Sequence, residues 1–172
     1  DIPGANKYYH ALGWSTPMLL PGHRYYAYRC VVSNEFSEVI TDEVTLELLF
    51  DPYFYDIKGY DTTIREGEDA LFETKIMGGN PLVATGVYWE VNKGNGFVRL
   101  SDVEELKGLC AEESITETID GVTYHTRTAL KITKAPLRMN GYIFRCVMTY
   151  GDYRTDMQFH LKVLTECQQN GH

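Results

Sequence analysis

The sequence predicts an all-β protein of the sandwich type. Apolar and polar residues alternate along most of the chain, and clusters of Gly, Asn, Asp and Pro separate the alternating segments. Only residues 103–113 look helical, and they lack a clear apolar stripe. Because alternation gives a strand one dry and one wet face, two sheets that pack their dry faces together account for the pattern.

The predicted strands follow one another in the C-terminal two thirds of the chain. They comprise residues 71–76, 87–91, 97–100, 123–133, 141–149 and 156–164. In the last of them, DMQFHLKVL, every second residue is apolar, which is typical of a half-buried strand. The pair Asp120-Gly121 precedes the alternating segment TYHTRTALKIT and predicts a tight hairpin turn.

The chain also contains an internal repeat. YAYRCVV at residues 26–32 is similar to YIFRCVM at residues 142–148, and a polar turn and an alternating strand follow each copy. The composition changes near Asp51-Pro52, between the two copies. One module and the C-terminal part of a preceding one account for this repeat.

The repeated motif resembles the end of strand F in immunoglobulin-like domains, which carries the pattern Tyr-x-Cys. Tyr28-Arg29-Cys30 matches this pattern, and Phe144-Arg145-Cys146 matches it with a Phe in place of the Tyr. Gly79-Asn80-Pro81 resembles the turn between strands B and C of the I-set type, and Trp89 stands where the core tryptophan of strand C belongs. The order of motifs is most similar to the immunoglobulin-like repeats of bacterial surface and secreted proteins. Metazoan cell-surface receptors are the second match.

The resemblance implies two domains. Residues 51–172 form one complete immunoglobulin-like module with a short C-terminal tail, and residues 1–50 form the C-terminal half of another. A complete module would have about 60 residues before its strand F cysteine. Since only 29 residues precede Cys30, we expect strands B and C to be absent from the first module.

The cysteines depart from the immunoglobulin pattern. Thr74 falls at the strand B position that would hold the disulfide partner of Cys146, so we expect Cys146 to be a buried free thiol. Cys110 and Cys167 lie in a predicted loop and tail, where they either form a disulfide or remain two exposed thiols.

Composition and motifs exclude several classes of function. A net charge of -8 disfavours binding to nucleic acid or to an anionic membrane surface, and no apolar run is long enough to span a membrane. The first residues lack a signal-peptide pattern, although a signal peptide removed earlier stays open. No CxxC, HExxH, GxSxG, GxGxxG or P-loop motif occurs, so we expect no enzyme activity, no cofactor and no metal site.

Two sets of residues are candidates for binding. In immunoglobulin-like domains, the outer face of the sheet with strands C, F and G often binds partners. The alternation predicts that this face carries Tyr88, Glu90, Ile143, Arg145, Val147, Gln158 and His160. The alternatives are a face covered by the neighbouring half-module and ordinary scattered exposure. Consecutive aromatics at Tyr53, Phe54 and Tyr55 could form a stacking platform for a sugar or a partner, or could pack the linker against both modules.

The sequence therefore predicts a non-enzymatic extracellular module that serves in binding, adhesion or spacing. Its expected partners are a protein or glycan ligand on an extracellular surface and the neighbouring modules of a longer chain. Two alternatives stay open: an accessory, carbohydrate-binding domain of a secreted enzyme, and a receptor-type module that recognises proteins.

Overall fold

The computed structural model describes residues 26–46 and 49–165. The chain divides into two compact units, residues 1–49 and 50–172, called here the N-terminal and C-terminal units. Residues 1–25 of the predicted partial module, and Cys167, lie outside the described residues.

The N-terminal unit contains four short strands within its described part. They are β1 (Tyr26–Tyr28), β2 (Val31–Ser33), β3 (Glu38–Ile40) and β4 (Val44–Leu46). β1 pairs antiparallel with β4, and β2 pairs antiparallel with β3. The turn between β2 and β3 is held by the Asn34 side chain, whose Oδ1 accepts hydrogen bonds from the backbone N–H groups of Phe36 and Ser37, each at 2.9 Å.

The described part of the C-terminal unit, residues 50–165, contains nine strands. They are β5 (Tyr53–Lys58), β6 (Asp61–Arg65), β7 (Ala70–Met77), β8 (Gly86–Asn92), β9 (Phe97–Arg99), β10 (Cys110–Ile119), β11 (Val122–Ile132), β12 (Ile143–Tyr150) and β13 (Tyr153–Leu164). The turn at Asp120-Gly121 has positive φ angles of 52° and 78°, as a two-residue hairpin of the primed type requires. The predicted hairpin is therefore confirmed.

The nine strands form two sheets in the order of an immunoglobulin-like β-sandwich. One sheet has the order β10-β11-β7-β5 and the other the order β6-β13-β12-β8-β9. These orders correspond to strands D, E, B and A on one side and to G, F and C on the other, with β6 added parallel to β13. The predicted fold class is thus confirmed.

The core lies between the two sheets and is centred on Trp89. Phe159 packs with its ring centroid 5.2 Å from that of Trp89, and Phe72 lies 5.3 Å from Phe159. The indole N–H of Trp89 donates a hydrogen bond to the Thr128 hydroxyl of the opposite sheet at 3.0 Å. Seven apolar residues on inward strand phases are buried in this core: Phe72, Trp89, Leu130, Phe144, Cys146, Phe159 and Leu161.

The helix expected at residues 103–113 is not formed. Two short 3-10 turns, Leu100–Asp102 and Glu104–Leu106, are followed by β10, which starts at Cys110. β10 is an edge strand that is exposed along almost its whole length, so its sequence lacks the apolar alternation that identifies a half-buried strand.

Candidate protein-binding face

The outward side of the five-stranded sheet gathers most of the predicted binding residues. Arg145 of β12 pairs in register with Glu90 of β8 and with Gln158 of β13. One step along the same strands, Val147 pairs with Tyr88 and Asp156. In the other direction, Ile143 pairs with Asn92 and His160. Since alternate residues of a strand share a face, these side chains form one surface, called here the CFG face.

A carboxylate and two guanidinium groups lie at the centre of the CFG face. Arg145 Nε donates to Glu90 Oε2 at 2.5 Å, and Arg154 Nη2 approaches the same oxygen at 3.2 Å. The side chains of Glu90 and Arg145 are only 13% and 19% exposed, whereas that of Arg154 is 45% exposed. The inner pair is therefore held in one geometry, and Arg154 forms its solvent-facing edge.

Two arginines of this face stack on aromatic rings. The Arg145 guanidinium lies 3.8 Å from the ring centroid of Phe97, and the Arg99 guanidinium lies 4.0 Å from that of Tyr88. Such contacts fix a long side chain while its N–H donors continue to point outward.

Three residues of this face were not predicted from the sequence: Phe97, Arg99 and Arg154. Phe97 and Arg99 lie on β9, where Arg99 pairs with Glu90 in register. Arg154 lies on β13, which begins three residues before the predicted start. The alternation in FVRL and YRTDMQFH was sufficient to place all three outward, had it been extended to these positions.

The prediction that Val147 contacts a partner is wrong. Its backbone phase is outward as predicted, and it is not part of the core between the sheets. Its side chain, however, is 0% exposed, so it lies beneath its neighbours on the CFG face and offers no surface to a partner. Ile143, Tyr88, Glu90, Arg145 and His160 are half-buried.

His160 lies on β13, next to the edge strand β6 of the five-stranded sheet. Its Nδ1 lies 2.8 Å from Asp61 Oδ1 of the parallel strand β6, and the Tyr60 ring meets the imidazole edge-on at a centroid distance of 5.9 Å. His160 is therefore fixed between two neighbours at the sheet edge.

The candidate aromatic platform is divided between two sides of β5. Phe54 packs against the core, whereas Tyr53 and Tyr55 are exposed on the opposite side. The rings of Tyr53 and Tyr55 are inclined by 59°, and those of Phe50 and Tyr53 by 62°. These rings do not form the flat surface on which a sugar ring stacks.

The outward side of the other sheet contains a buried carboxylate, Glu73, which is 5% exposed. Arg127 and Lys58 both bind it, with Arg127 Nε at 2.8 Å from Oε2 and Lys58 Nζ at 2.7 Å from Oε1. These hydrogen bonds, first from Arg127 and then from Lys58, lower the pKa of Glu73 from 4.5 to about 2.

The described cysteines are Cys30, Cys110 and Cys146, and all three are free thiols. Cys146 is buried as predicted, and burial raises its thiol pKa. Thr74 is also buried, and its hydroxyl donates to the Tyr55 carbonyl at 3.1 Å. Burial raises the pKa of the half-buried Cys110 to about 12. The Cys110–Cys167 disulfide stays a prediction because Cys167 lies outside the described residues.

The described residues contain neither a cluster of metal-binding side chains nor a membrane-spanning helix. Residues 26–46 and 49–165 contain no group of three or more His, Cys, Asp or Glu side chains that could hold a metal ion. Within the same ranges, no helix has the length and apolar character needed to cross a membrane.

Comparisons with known proteins give structural neighbours only. No protein-family model matches the chain, and no curated protein matches it. A chimeric titin Z1Z2 carrying an exogenous decorin peptide is 22% identical, covering 69% of this chain and 99% of its own, with a TM-score of 0.45. The titin M3 domain is also 22% identical, over 65% and 95% of the two chains, with a TM-score of 0.42. The Ig1-2 module of the Drosophila receptor tyrosine phosphatase DLAR is 14% identical, over 67% of this chain and half of its own, with a TM-score of 0.42.

Proposed function

We propose that the chain is a non-enzymatic protein-binding module and that the CFG face is its binding surface. The observation that carries this proposal is the pair of arginine–aromatic stacks, Arg145 on Phe97 and Arg99 on Tyr88. Arginine and aromatic residues are the types enriched where binding energy concentrates in protein interfaces. Stacking and the contact with Glu90 already order these side chains. They would therefore lose little further conformational entropy when a partner binds.

We further propose an extracellular or cell-surface location, with the module acting in adhesion or as a spacer beside neighbouring modules. The I-set-like type and the bacterial surface repeat belong to the same proposal, which is supported by the motifs around Gly79-Asn80-Pro81 and Cys146. Fractionation of the source culture tests the location. We expect the protein in the medium or accessible to a protease added to intact cells, and protein found only inside intact cells would contradict this location.

Site-specific photocrosslinking tests the binding face. A photoreactive amino acid at the exposed Gln158 position lies at the centre of the CFG face, opposite Arg145. The matched control is the same amino acid at Lys131, which is exposed on the other sheet. With the surface of the source cells present, we expect a discrete crosslinked product from position 158 and none from position 131. Equal products from both positions, or none from position 158, would contradict the proposal.

The choice of variant follows from burial. Replacing Arg145 by Glu would place a second carboxylate against Glu90, which is only 13% exposed, and would destabilise the sheet itself. Tyr88→Ala removes the ring under Arg99 and leaves the Arg145–Glu90 pair in place. We expect Tyr88→Ala to reduce the crosslink at position 158 while the melting temperature stays within a few degrees of the parent value.

A further inference from the structure

We propose that the partner of the CFG face is an acidic polypeptide segment, bound by Arg99, Arg145 and Arg154. This inference rests on the protein-binding function proposed above and specifies the chemistry of its partner.

The CFG face is basic, whereas the chain as a whole is acidic. The outward positions of the five-stranded sheet carry five basic side chains and three acidic ones. The basic residues are Arg65, Arg99, Arg145, Arg154 and Lys162, and the acidic ones are Asp61, Glu90 and Asp156. The whole chain has a net charge of -8. A basic surface on an acidic protein attracts acidic partners locally and orients them before contact.

Hydrogen-bond donors outnumber acceptors around Glu90. Three guanidinium groups offer about 15 N–H donors, whereas one carboxylate offers about four acceptor sites. Oε2 of Glu90 already serves both Arg145 and Arg154. Asp156, a further carboxylate on the face, pairs with Val147 in the adjacent row rather than with Arg145. An incoming carboxylate can therefore bind to donors that Glu90 alone does not satisfy.

The spacing of the arginines on the CFG face suits an extended peptide. Arg99 on β9 and Arg145 on β12 are two strand spacings apart, which is about 10 Å. An extended segment with acidic residues at alternate positions presents carboxylates about 7 Å apart on one side, so that flexible side chains can reach both groups. A nucleic acid carries regularly spaced charge far beyond the face and would meet the acidic remainder of the chain.

The test uses a fluorescent decaglutamate peptide and the full chain. Arg99→Gln with Arg154→Gln removes two exposed charges from the face and leaves the half-buried Arg145–Glu90 pair intact. The matched control, Lys107→Gln with Lys131→Gln, removes two exposed charges elsewhere. At about 10 mM salt we expect binding to weaken at least tenfold in the arginine variant and less than twofold in the control. Binding by the parent chain should decline steeply towards about 150 mM salt.

Several results would overturn the proposal. They are no binding of decaglutamate by the parent chain, equal binding by the arginine variant, and equal or tighter binding of a single-stranded oligonucleotide. If decaglutamate fails while the position 158 crosslink persists, the face binds proteins of another chemistry. If both fail, the proposed function fails as well.

Discussion

The two copies of the internal repeat have similar sequences and different surroundings. In the C-terminal unit, all of YIFRCVM except its first residue lies within β12, and Phe144, Cys146 and Val147 are fully buried. In the N-terminal unit, the aligned YAYRCVV forms the short strands β1 and β2, and Val31 and Val32 are 47% and 63% exposed. The cysteines follow the same division, since Cys146 is buried and Cys30 is exposed.

The difference also extends to the hydrogen-bond ladder. The register of β12 with β13 runs without interruption from Ile143 to Tyr150. In the N-terminal unit, β1 and β2 pair with different strands, and between them the Cys30 N–H donates to the Thr41 hydroxyl at 2.9 Å. The motif therefore specifies a strand tendency, while burial of its apolar residues depends on a facing sheet, because side-chain packing rather than intrinsic propensity stabilises strands.

Thiol reactivity should show the largest contrast between the two copies. In the native protein, Cys30 should react with a maleimide at least about a thousandfold faster than Cys146, because a buried thiol reacts only after the core opens. Peptide mapping by mass spectrometry assigns the label to each cysteine over time. In denaturant the two rates should become similar, and similar rates in native buffer would contradict the burial difference.

Truncation of Trp89 should produce the next largest effect. Trp89→Ala leaves a cavity between the sheets and removes the hydrogen bond to Thr128, so we expect a loss of about 3–5 kcal/mol in the free energy of unfolding. The matched change in the N-terminal unit is Phe36→Ala, at a ring that is 86% exposed, with an expected loss below about 0.5 kcal/mol. Urea unfolding followed by far-UV circular dichroism measures both. Equal losses would show that the two units do not differ in packing.

Much of the fold could be predicted because a sandwich core is encoded locally. Trp89, Phe144 and Phe159 each lie at an inward phase of an alternating segment, and the structure brings their side chains together. The start of β10 was missed because an edge strand exposed along its length needs no alternation. The burial of Val147 was missed because periodicity gives the face of a residue and not what covers it.

The buried Glu73 carboxylate should make the stability of the C-terminal unit depend on pH. The pKa of Glu73 is lowered to about 2, so the unfolded chain binds more protons between pH 2 and 4.5. The stability that Glu73 contributes is complete above about pH 4.5 and is lost as the pH falls towards 2. Glu73→Gln should cost about 1–3 kcal/mol at pH 7 and little at pH 2. Urea titrations across this range measure the difference.

The control for Glu73 lies in the N-terminal unit. Glu38 of β3 is exposed, so Glu38→Gln should change the stability by less than about 0.5 kcal/mol at any pH. An acid dependence that persists in Glu73→Gln would assign the effect to other carboxylates. The pairing of Glu73 with Arg127 was beyond sequence analysis, because it joins residues that are 54 positions apart on neighbouring strands.

The smallest expected effect concerns Glu112, whose pKa is shifted in the opposite direction from that of Glu73. Glu112 Oε2 accepts the backbone N–H of Trp89 at 3.3 Å, and partial burial raises the pKa of the carboxyl above 4.5. The folded protein then binds more protons just above pH 4.5. This group therefore favours folding at low pH, and that contribution is lost as the pH rises through the raised pKa.

Glu112→Gln keeps an oxygen for the Trp89 N–H and removes the partly buried charge. We expect it to leave stability unchanged at pH 4 and to raise it by less than about 1 kcal/mol at pH 7, because solvent screens a group that is only partly buried. A loss of stability at pH 7 would show that the charge itself holds β10 against β8.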